Sequence, residues 1–258
     1  MSRRRPPAVR GVFITGTDTG VGKTLVACAL AAWCRERGLD VGVMKPIATG
    51  GRRQRGTGTR RLSNDAVRLA RAAGAADPWR LINPVCFREP IAPWTAAQRE
   101  GKAVSMAAVL RAFDELRARH AFLIVEGIGG LRVPLNARWA VVDLAQRMRL
   151  PVVLVARTHL GTLNHTLLSV ECLRRVGVPL AGVLLNDAPP PPRGAMARLA
   201  ARTNPRVLAR LIQAPLAGPL PFDAGLPSRS PAACSRWLSR HVGEPFLKRL
   251  TDGPTRAG

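Results

Sequence analysis

The sequence predicts an α/β domain of three layers, in which a mainly parallel sheet is covered by helices on both faces. Short apolar runs, such as those at residues 11–15 and 151–156, alternate along the chain with longer segments of helical periodicity. These runs are apolar throughout rather than at every second position, which is typical of strands buried on both faces. The chain has 258 residues, 47% of them hydrophobic, so it can build one packed core.

The predicted strands and helices follow one another in a regular order. A Gly-rich turn separates the first strand from the first helix, and a loop rich in Gly, Arg and Thr follows the second strand at 46–61. Ser63 or Asn64 is the expected cap of the next helix. Strands are predicted at 11–15, 41–44, 121–125, 151–156, 180–185 and 216–222. Helices are predicted at about 23–38, from Ser63 onward, and at 105–119, 161–177 and 195–203.

The pattern predicts a single domain over residues 10–228, without an internal repeat. Residues 1–9 are expected to form a basic, flexible N-terminus. Residues 229–258 form a poorly patterned C-terminal extension, whose structure the sequence leaves uncertain. Four consecutive prolines at 189–192 are interpreted as a stiff turn between elements.

The formal charge of +24 raises the possibility of a nucleic-acid partner. The basic residues argue against a specific one, because only four of 40 are lysines and the arginines are dispersed over the whole chain. Tyr is absent, and no aromatic-rich basic stripe occurs. We expect only weak binding to polyanions at low salt. Two of the four lysines, Lys23 and Lys45, lie in the site segments described below, where a compact ammonium group suits the chemistry. Chance placement is the alternative.

The five cysteines indicate a reducing compartment. They form no Cys-x-x-Cys pair and have no histidine spacing typical of zinc sites. Cys28, Cys34 and Cys172 fall in apolar helical patterns, so buried reduced thiols are expected, together with a cytoplasmic location. No apolar run is long enough for a signal sequence or a membrane span.

The strongest local signal is the segment Gly-Thr-Asp-Thr-Gly-Val-Gly-Lys-Thr at 16–24, which follows a strand and begins a helix. The N–H groups of Gly20, Gly22 and Lys23 would surround phosphates, aided by the helix dipole. Lys23 would neutralise the β- and γ-phosphates, and Thr24 would offer its hydroxyl to Mg²⁺. The first glycine comes one residue early, so this is a variant phosphate loop. It predicts the fold of the P-loop NTPases; a Gly-rich turn without a ligand is the alternative.

Other polar residues follow predicted strands or begin a helix. Lys45 and Glu126 end the second and third strands, at the edge where open α/β sheets bind ligands. Glu126 could hold Mg²⁺, with Asp65 as a second carboxylate. Asn186 carries a donor and an acceptor side by side, which matches the edge of adenine. Lys45 could instead be a surface lysine before a turn, Glu126 an exposed residue at a strand end, and Asp65 an acid that complements a helix dipole. The signal from Asn186 is weak when taken alone.

Taken together, these segments resemble the dethiobiotin synthetase family. The spacing is intact over about residues 10–225, and the combination is more specific than the phosphate loop alone. The matching segments are 16–24, Lys-Pro-Ile-Ala-Thr-Gly at 45–50, Ser-Asn-Asp-Ala at 63–66, Asn83-Pro84 with Phe87, Glu89 and Pro90, Val-Glu-Gly-Ile-Gly-Gly at 125–130, His-Leu-Gly-Thr-Leu-Asn-His at 159–165 and Leu-Asn-Asp at 185–187.

The resemblance implies a C–N-forming cyclo-ligase of biotin biosynthesis, active as a homodimer with its sites near the subunit interface. The substrates would be 7,8-diaminononanoate, carbon dioxide and Mg-ATP. One amine becomes a carbamate, whose oxygen attacks the γ-phosphate to give a mixed carbamic–phosphoric anhydride. The second amine then displaces phosphate and closes the ureido ring of dethiobiotin.

The resemblance also implies roles for individual residues. Lys23 and Lys45 would be catalytic, Thr24, Asp65 and Glu126 would hold Mg²⁺, and Asn186 would contact adenine. Thr49 would contact the substrate, while Gly161 and Thr162, at a helix N-terminus, would bind its distant carboxylate across the dimer. The implied nucleotide-binding set is Gly20, Val21, Gly22, Lys23, Thr24, Leu25, Asp65, Glu126, Gly127, Ile128, Gly129, Asn186, Asp187, Pro221, Phe222 and Asp223.

Three features depart from the family pattern. Gly20 stands where some members carry Glu, so a direct role for that acid is absent. Trp94 stands where a His is common, which affects the detail of the substrate pocket. The arginine-rich loop at 52–61 is unusually basic, and we expect it to be mobile until nucleotide binds.

Two other readings share the fold. A ParA/MinD-like ATPase switch that binds DNA or membrane would suit the positive charge. Such proteins usually carry a lysine early in the loop, where this chain has Thr17, Asp18 and Thr19. A synthetase domain of the cobyrinic-acid amidase type would be expected to continue into a glutamine amidotransferase domain, for which 258 residues leave no room.

Overall fold

The computed structural model describes residues 10–53, 60–188, 194–226 and 229–252. The strands are β1 (Gly11–Gly16), β2 (Val41–Met44), β3 (Ile47–Ala48), β4 (Arg52–Arg53), β5 (Arg61–Leu62), β6 (Val85–Cys86), β7 (Phe122–Gly130), β8 (Val152–Arg157), β9 (Leu180–Asn186) and β10 (Leu216–Leu220). The helices are α1 (Lys23–Glu36), α2 (Asn64–Ala73), α3 (Trp79–Ile82), α4 (Pro93–Arg99), α5 (Met106–Arg119), α6 (Val141–Met148), α7 (Thr162–Val176), α8 (Ala195–Leu211), α9 (Pro231–Val242) and α10 (Glu244–Asp252).

Some predicted features lie outside the described residues. These are the basic N-terminus at 1–9, the four-proline turn at 189–192 and the middle of the arginine-rich loop at 54–59. The two ends of that loop are described, and they pair as the antiparallel strands β4 and β5. The predicted mobility of the loop stays a prediction.

The central sheet has six parallel strands in the order β10–β9–β8–β1–β7–β2. The predicted α/β fold with a mainly parallel sheet is therefore confirmed. Because parallel strands all point the same way, their carboxyl ends meet at one edge. That edge carries the loop after β1, Lys45 after β2, Glu126 within β7 and Asn186 at the end of β9.

Both faces of the sheet are covered by apolar side chains. In β1 the side chain of Phe13 packs into the core on one face, with α5, α6 and α7. Its neighbours Val12 and Ile14 pack into the core on the other face, with α1, α2, α9 and α10. Successive side chains of a strand point to opposite faces, so a strand covered on both faces must be apolar at every position. This explains the continuous apolar runs in the sequence.

The start of α1 depends on a glycine. Gly22 precedes the helix with φ 98°, a left-handed conformation that favours glycine. A Cβ atom at this position would also collide with Nδ2 of Asn186. Both the backbone angle and the close approach of β9 therefore require glycine here.

Several elements differ from the predicted ones. Strand β7 continues past Glu126 to Gly130 rather than ending at 125. A Cβ at Gly127 would lie only 2.9 Å from the ring of Phe13, so glycine at this position lets the strand continue. Helix α6 was not predicted. Helix α8 continues past Pro205 to Leu211 rather than ending near 203. Ser63, and not Asn64, caps α2, since its hydroxyl accepts a hydrogen bond from the N–H of Ala66 at 3.1 Å.

Residues 231–252 of the C-terminal extension, whose structure the sequence pattern left uncertain, form α9 and α10. Ser230 caps α9, and Trp237 and Leu238 of that helix are buried against the face that carries α1. Leu247 and Leu250 of α10 join the same core. These helices therefore complete the layer on one face of the sheet. Every helix in the described ranges is too short or too polar to cross a lipid bilayer.

Candidate active site

A cavity of about 770 Å³ opens at the carboxyl edge of the sheet. The phosphate loop and the start of α1 form its floor, and Ala48 and Thr49 with residues 90–93 form one wall. Asp187 and Ala188 after β9, together with residues 221–224 after β10, form the opposite end. The lining residues predicted from the sequence are Gly20, Gly22, Lys23, Thr24, Leu25, Lys45, Thr49, Asp65, Glu126, Ile128, Gly129, Asn186, Asp187, Pro221, Phe222 and Asp223.

Lys23 begins α1 and lies at the floor of this cavity. Its side chain is 7% exposed, and its ammonium group donates to the backbone carbonyl of Asp18 at 2.9 Å. Burial, together with the nearby charge of Lys45, lowers the pKa of Lys23 from 10.5 to about 8. The group is therefore protonated at neutral pH, and an added anion would stabilise its charge.

Lys45 provides the second ammonium group. Its Nζ lies 2.6 Å from Oε1 of Glu126, 3.0 Å from Oδ2 of Asp65 and 3.0 Å from the carbonyl oxygen of Gly127. The residue is 2% exposed. Burial alone would lower the pKa of Lys45, but the carboxylates of Glu126 and Asp65 outweigh burial and raise this pKa above its ordinary value. Lys45 therefore stays charged inside the protein.

Three oxygen-bearing side chains surround the same point. The hydroxyl of Thr24 donates to Oε1 of Glu126 at 2.7 Å. Burial would raise the pKa of Asp65, but the adjacent ammonium group of Lys45 outweighs it and holds that pKa below its ordinary value. Glu126 is fully buried, and its second oxygen, Oε2, has no hydrogen-bond partner in the described structure. An orphaned buried carboxylate oxygen beside a hydroxyl and a second carboxylate is a donor set that suits Mg²⁺.

This donor set is small for a metal held by protein alone. Within the described ranges, no group of three or more His, Cys, Asp or Glu side chains could hold a metal ion. Magnesium usually binds through one or two carboxylates together with substrate phosphates. Two carboxylates and a hydroxyl beside a phosphate loop fit that pattern.

Asn186 lies where the cavity runs from the phosphate loop toward its far end. Its Nδ2 donates to the carbonyl oxygen of Val21 at 2.9 Å, so the side chain holds the phosphate loop as well as facing the cavity. Next to it, Oδ1 of Asp187 accepts a hydrogen bond from the hydroxyl of Thr158. Phe222 is 48% exposed at the mouth of this end. The arrangement leaves an open, partly apolar slot beyond the phosphate loop.

Four predicted residues do not line the cavity. Val21 and Gly127 lie directly behind it and contribute only their carbonyl oxygens, to Asn186 and Lys45 respectively. Gly161 and Thr162 lie away from it, at the start of α7. The Thr162 hydroxyl donates to the carbonyl oxygen of Arg157 and is buried. Within one chain, the structure therefore does not bring Gly161 and Thr162 together with the two lysines.

Sequence reasoning missed several lining residues. Arg68 lies one helical turn after Asp65, so the i, i+3 spacing could have found it. Val133 follows β7 and lacks such a signal. Trp94 does not line the cavity and is 37% exposed, although its neighbour Pro93 does line it. The other lining residues that were not predicted are Thr19, Ala48, Pro90, Ile91, Ala92, Ala188 and Ala224.

The sheet, the loop after β1 and the buried lysines define the class of the protein, a P-loop nucleotide-binding domain. Consistent with this, the AAA domain family matches residues 10–229. The relatives are more specific. An ATP-dependent dethiobiotin synthetase from Anaeromyxobacter dehalogenans is 50% identical over 70% of this chain and 78% of the relative. Those from Anaeromyxobacter sp. strain K and Bacillus velezensis are 43% and 40% identical, over 86% and 83% of this chain and 94% and 87% of the relatives. The chain therefore belongs to the ATP-dependent dethiobiotin synthetase family.

Solved structures give a weaker likeness. A ParA family ATPase from Chlorobium tepidum superposes with a TM-score of 0.45 at 16% identity, covering 95% of this chain and 98% of that one. Similarity at this level carries no argument about function. The ParA/MinD-like interpretation of the sequence therefore gains no support, while the relatives favour the synthetase.

Proposed function

We propose that this chain is an ATP-dependent dethiobiotin synthetase, which closes the ureido ring of dethiobiotin from 7,8-diaminononanoate and carbon dioxide and releases ADP and phosphate. One observation supports the proposal most. Lys23 begins α1 and Lys45 follows β2, yet both side chains line the same cavity, close enough for the charge of Lys45 to lower the pKa of Lys23. Phosphoryl transfer between two anions needs positive charge where the anions meet.

The proposed reaction proceeds in three steps, and the two lysines act on its charged groups. One substrate amine adds to carbon dioxide and loses a proton, which gives a carbamate. A carbamate oxygen attacks the γ-phosphorus of ATP, the bond to the β-phosphate oxygen breaks, and ADP leaves. The second amine attacks the carbonyl carbon of the anhydride and loses a proton, the C–O bond breaks, and phosphate leaves with the former carbamate oxygen. In this scheme Lys23 neutralises the phosphates, and Lys45 holds the carbamate against them.

Thr24, Asp65 and Glu126 would hold Mg²⁺, which supplies charge neutralisation at the β- and γ-phosphates. The unpartnered Oε2 of Glu126 supports this assignment. The backbone N–H groups of Gly20, Gly22 and Lys23, at the N-terminus of α1, would bind the phosphates. Asn186, with Asp187 and residues 221–223, would receive the adenine in the slot beyond the loop.

The diamine would bind along the cavity wall that contains Thr49, away from the adenine slot. Thr49 lines this wall near Pro90 and Ile91, on the side of Lys45. A polar hydroxyl beside apolar side chains suits a ligand with amines at one end and a methylene chain. The far carboxylate would reach beyond the cavity.

A second copy of the chain would supply the carboxylate site. Gly161 and Thr162 lie outside their own cavity, so a partner must present them if they bind substrate. Two large apolar side chains close to them in the chain are exposed: Leu160 by 84% and Leu168 of α7 by 57%. Neighbouring α8 exposes Met196. Large exposed apolar side chains on adjacent helices are typical of an interface, which supports a homodimer.

Mixed dimers test this arrangement. Lys45→Gln removes the ammonium group, and Gly161→Asp adds a carboxylate that repels the substrate carboxylate. Each variant alone should be inactive, but a mixture should recover about a quarter of wild-type activity, because random pairing restores one site in half of the dimers. Gly161→Asn, with similar size and backbone preference but no charge, is the control and should keep more activity. A mixture that stays inactive, although the chains exchange, would contradict a shared site.

Product analysis tests the activity itself. The protein is incubated with ATP, Mg²⁺, labelled bicarbonate and the diamine, and we expect label in a cyclic urea. Lys45→Gln should form no product while still binding ATP, since glutamine keeps a hydrogen-bond donor toward Glu126 but no charge. Lys102→Gln, at an exposed lysine paired with Glu100, is the matched control and should remain active. Retention of most activity by Lys45→Gln would refute the assigned mechanism.

Phosphate release that is stimulated by DNA and does not need the diamine would instead support the ParA/MinD-like ATPase switch.

The proposed partners are small molecules, and the proposed location is the cytoplasm. The cysteines support a reducing location, because all five are free. Burial raises the pKa of Cys28 and of Cys34 to about 12, so both thiols are unreactive. We propose no specific nucleic-acid or membrane partner, since the dispersed arginines form no defined binding stripe.

A further inference from the structure

Asn83 follows α3 and is fully buried, outside the cavity. We propose that it is a positioning residue of the proposed reaction, and that its side-chain amide sets the place of Lys45 relative to Asp65. Its Nδ2 donates to the backbone carbonyl of Lys45 at 2.8 Å. Its Oδ1 accepts from the backbone N–H of Ser63 at 3.2 Å and from the Ser63 hydroxyl at 3.4 Å. One planar group therefore joins the segment of Lys45 to the start of α2.

The backbone of Lys45 depends on this contact because the central sheet does not hold it. Strand β2 ends at Met44, and the register of β2 with β7 also ends there. The N–H of Lys45 instead donates to the carbonyl oxygen of Ile82 at 2.7 Å, and its carbonyl accepts from Asn83. Both backbone polar groups of Lys45 are thus bonded to residues 82–83. The position of this lysine is therefore set by the end of α3.

The contacts close into a ring that includes the ion pair. Ser63 caps α2, and the first turn of that helix carries Asp65. The carboxylate of Asp65 lies 3.0 Å from the ammonium group of Lys45. From Lys45 the ring returns through its backbone carbonyl to Asn83 and Ser63. Because every link is short, a shift at Asn83 moves both the ammonium group and the carboxylate.

Only an amide satisfies both ends of this contact. Asparagine carries a donor and an acceptor on one small planar group. An aspartate of nearly the same shape would lose the donor and bring a carboxylate oxygen against the carbonyl of Lys45. Displacements of about 1 Å can lower the rate of a positioned reaction by about a hundredfold. We therefore expect Asn83→Asp to lower kcat about tenfold to a hundredfold, while the Kd for ATP measured without Mg²⁺ changes by less than about threefold, because the phosphate loop does not contact Asn83.

The chain has only four lysines, so lysine labelled with ¹³C at Cε gives a readout of position without turnover. In the nucleotide-free protein, Asn83→Asp should move the Lys45 resonance and leave those of Lys102 and Lys248 unchanged. Leu238→Ala, at a buried position of α9, is the control for lost stability. It should leave both kcat and the Lys45 resonance close to wild type when measured below its unfolding midpoint. Asn83→Ser, which keeps a hydroxyl, is the second variant if Asn83→Asp does not fold, and should show a smaller loss of kcat.

The proposal is overturned if a folded Asn83 variant keeps kcat within about twofold of wild type, or leaves the Lys45 resonance in place. It is also overturned if Leu238→Ala loses kcat to the same extent at equal stability. This inference rests on the proposed function, but the two can fail separately. A wild-type protein that makes no cyclic urea would refute the function, whereas the lysine resonances test the role of Asn83 in either case.

Discussion

Replacing Lys45 by methionine removes a buried cation while keeping most of the side-chain volume. In the wild-type protein this ammonium group lies 2.6 Å from Glu126 and 3.0 Å from Asp65. Glu126 is fully buried, and apart from Lys45 its hydrogen-bond donor in the described structure is Thr24. The variant therefore leaves a buried carboxylate without its ion-pair partner.

The size of the effect follows from that burial. Removing one partner of a buried ion pair typically destabilises a protein by about 3–5 kcal/mol, because the other charge stays buried and unpaired. A domain is stable by about 5–15 kcal/mol in total, so a large share of its stability would be lost. Lys102 pairs with Glu100 at 2.8 Å, but its side chain is 60% exposed. Lys102→Met should therefore change stability by at most about 1 kcal/mol.

Urea unfolding of the nucleotide-free protein, followed by circular dichroism, measures both variants. We expect Mg²⁺ to restore part of the stability of Lys45→Met, because the oxygens of Thr24, Asp65 and Glu126 would then be free to bind it. Adding Glu126→Gln to Lys45→Met should also restore stability, since it removes the uncompensated charge. A loss below about 1 kcal/mol for Lys45→Met, or no effect of Mg²⁺ on that variant, would refute the reasoning about this site.

Two further predictions concern other parts of the chain. Gly22→Ala should abolish ATP binding and lower stability, because a Cβ there collides with Asn186. Gly38→Ala is the control, because Gly38 also has a positive φ but a Cβ there would lie in open space. This control should carry only the backbone strain and still bind ATP in a calorimetric titration. His120 lies between Asp40 and Asp77, at 2.7 and 2.8 Å; burial would lower its pKa, but hydrogen bonds to these carboxylates outweigh burial and raise it. Because the pKa of His120 is raised in the folded state, the stabilisation by its contacts with Asp40 and Asp77 is complete below about pH 6.5 and is lost as the pH rises through the folded pKa. His120→Gln should therefore be less stable than wild type at acidic pH, with the difference shrinking toward alkaline pH. A pH-independent difference in unfolding free energy would count against these contacts as the source of the stabilisation.

The parts of the fold that could be predicted depend on local sequence. Strand β1 is apolar at every position because both faces are covered, and the phosphate loop needs glycine at Gly22 for backbone reasons. Parallel topology then brings the ends of separate strands to one edge. Lys45 and Glu126 could be placed together by that argument, although they are far apart in the chain.

The parts that could not be predicted depend on tertiary packing. In α9, Trp237 and Leu238 are buried only because α1 offers an apolar face, and their short pattern among arginines and serines gives no clear period. Helix α8 continues past Pro205. Proline has no backbone N–H and removes a helical hydrogen bond, so sequence rules predict that a helix ends near it. Asn83 belongs to a segment that matches the family, but its role was hidden, since sequence does not show which backbone groups a buried amide bonds. Sequence spacing likewise could not show that Gly161 lies outside its own cavity.

The central claim is that the phosphoryl group passes to a carbamate oxygen between Lys23 and Lys45. The most direct measurement uses bicarbonate labelled with ¹⁸O, equilibrated with carbon dioxide, and mass analysis of the released phosphate. The proposed reaction predicts one carbonate-derived oxygen atom in each phosphate, formed in step with dethiobiotin. Phosphate that carries oxygen only from water would show that ATP is hydrolysed without transfer to a carbamate, and would contradict the claim.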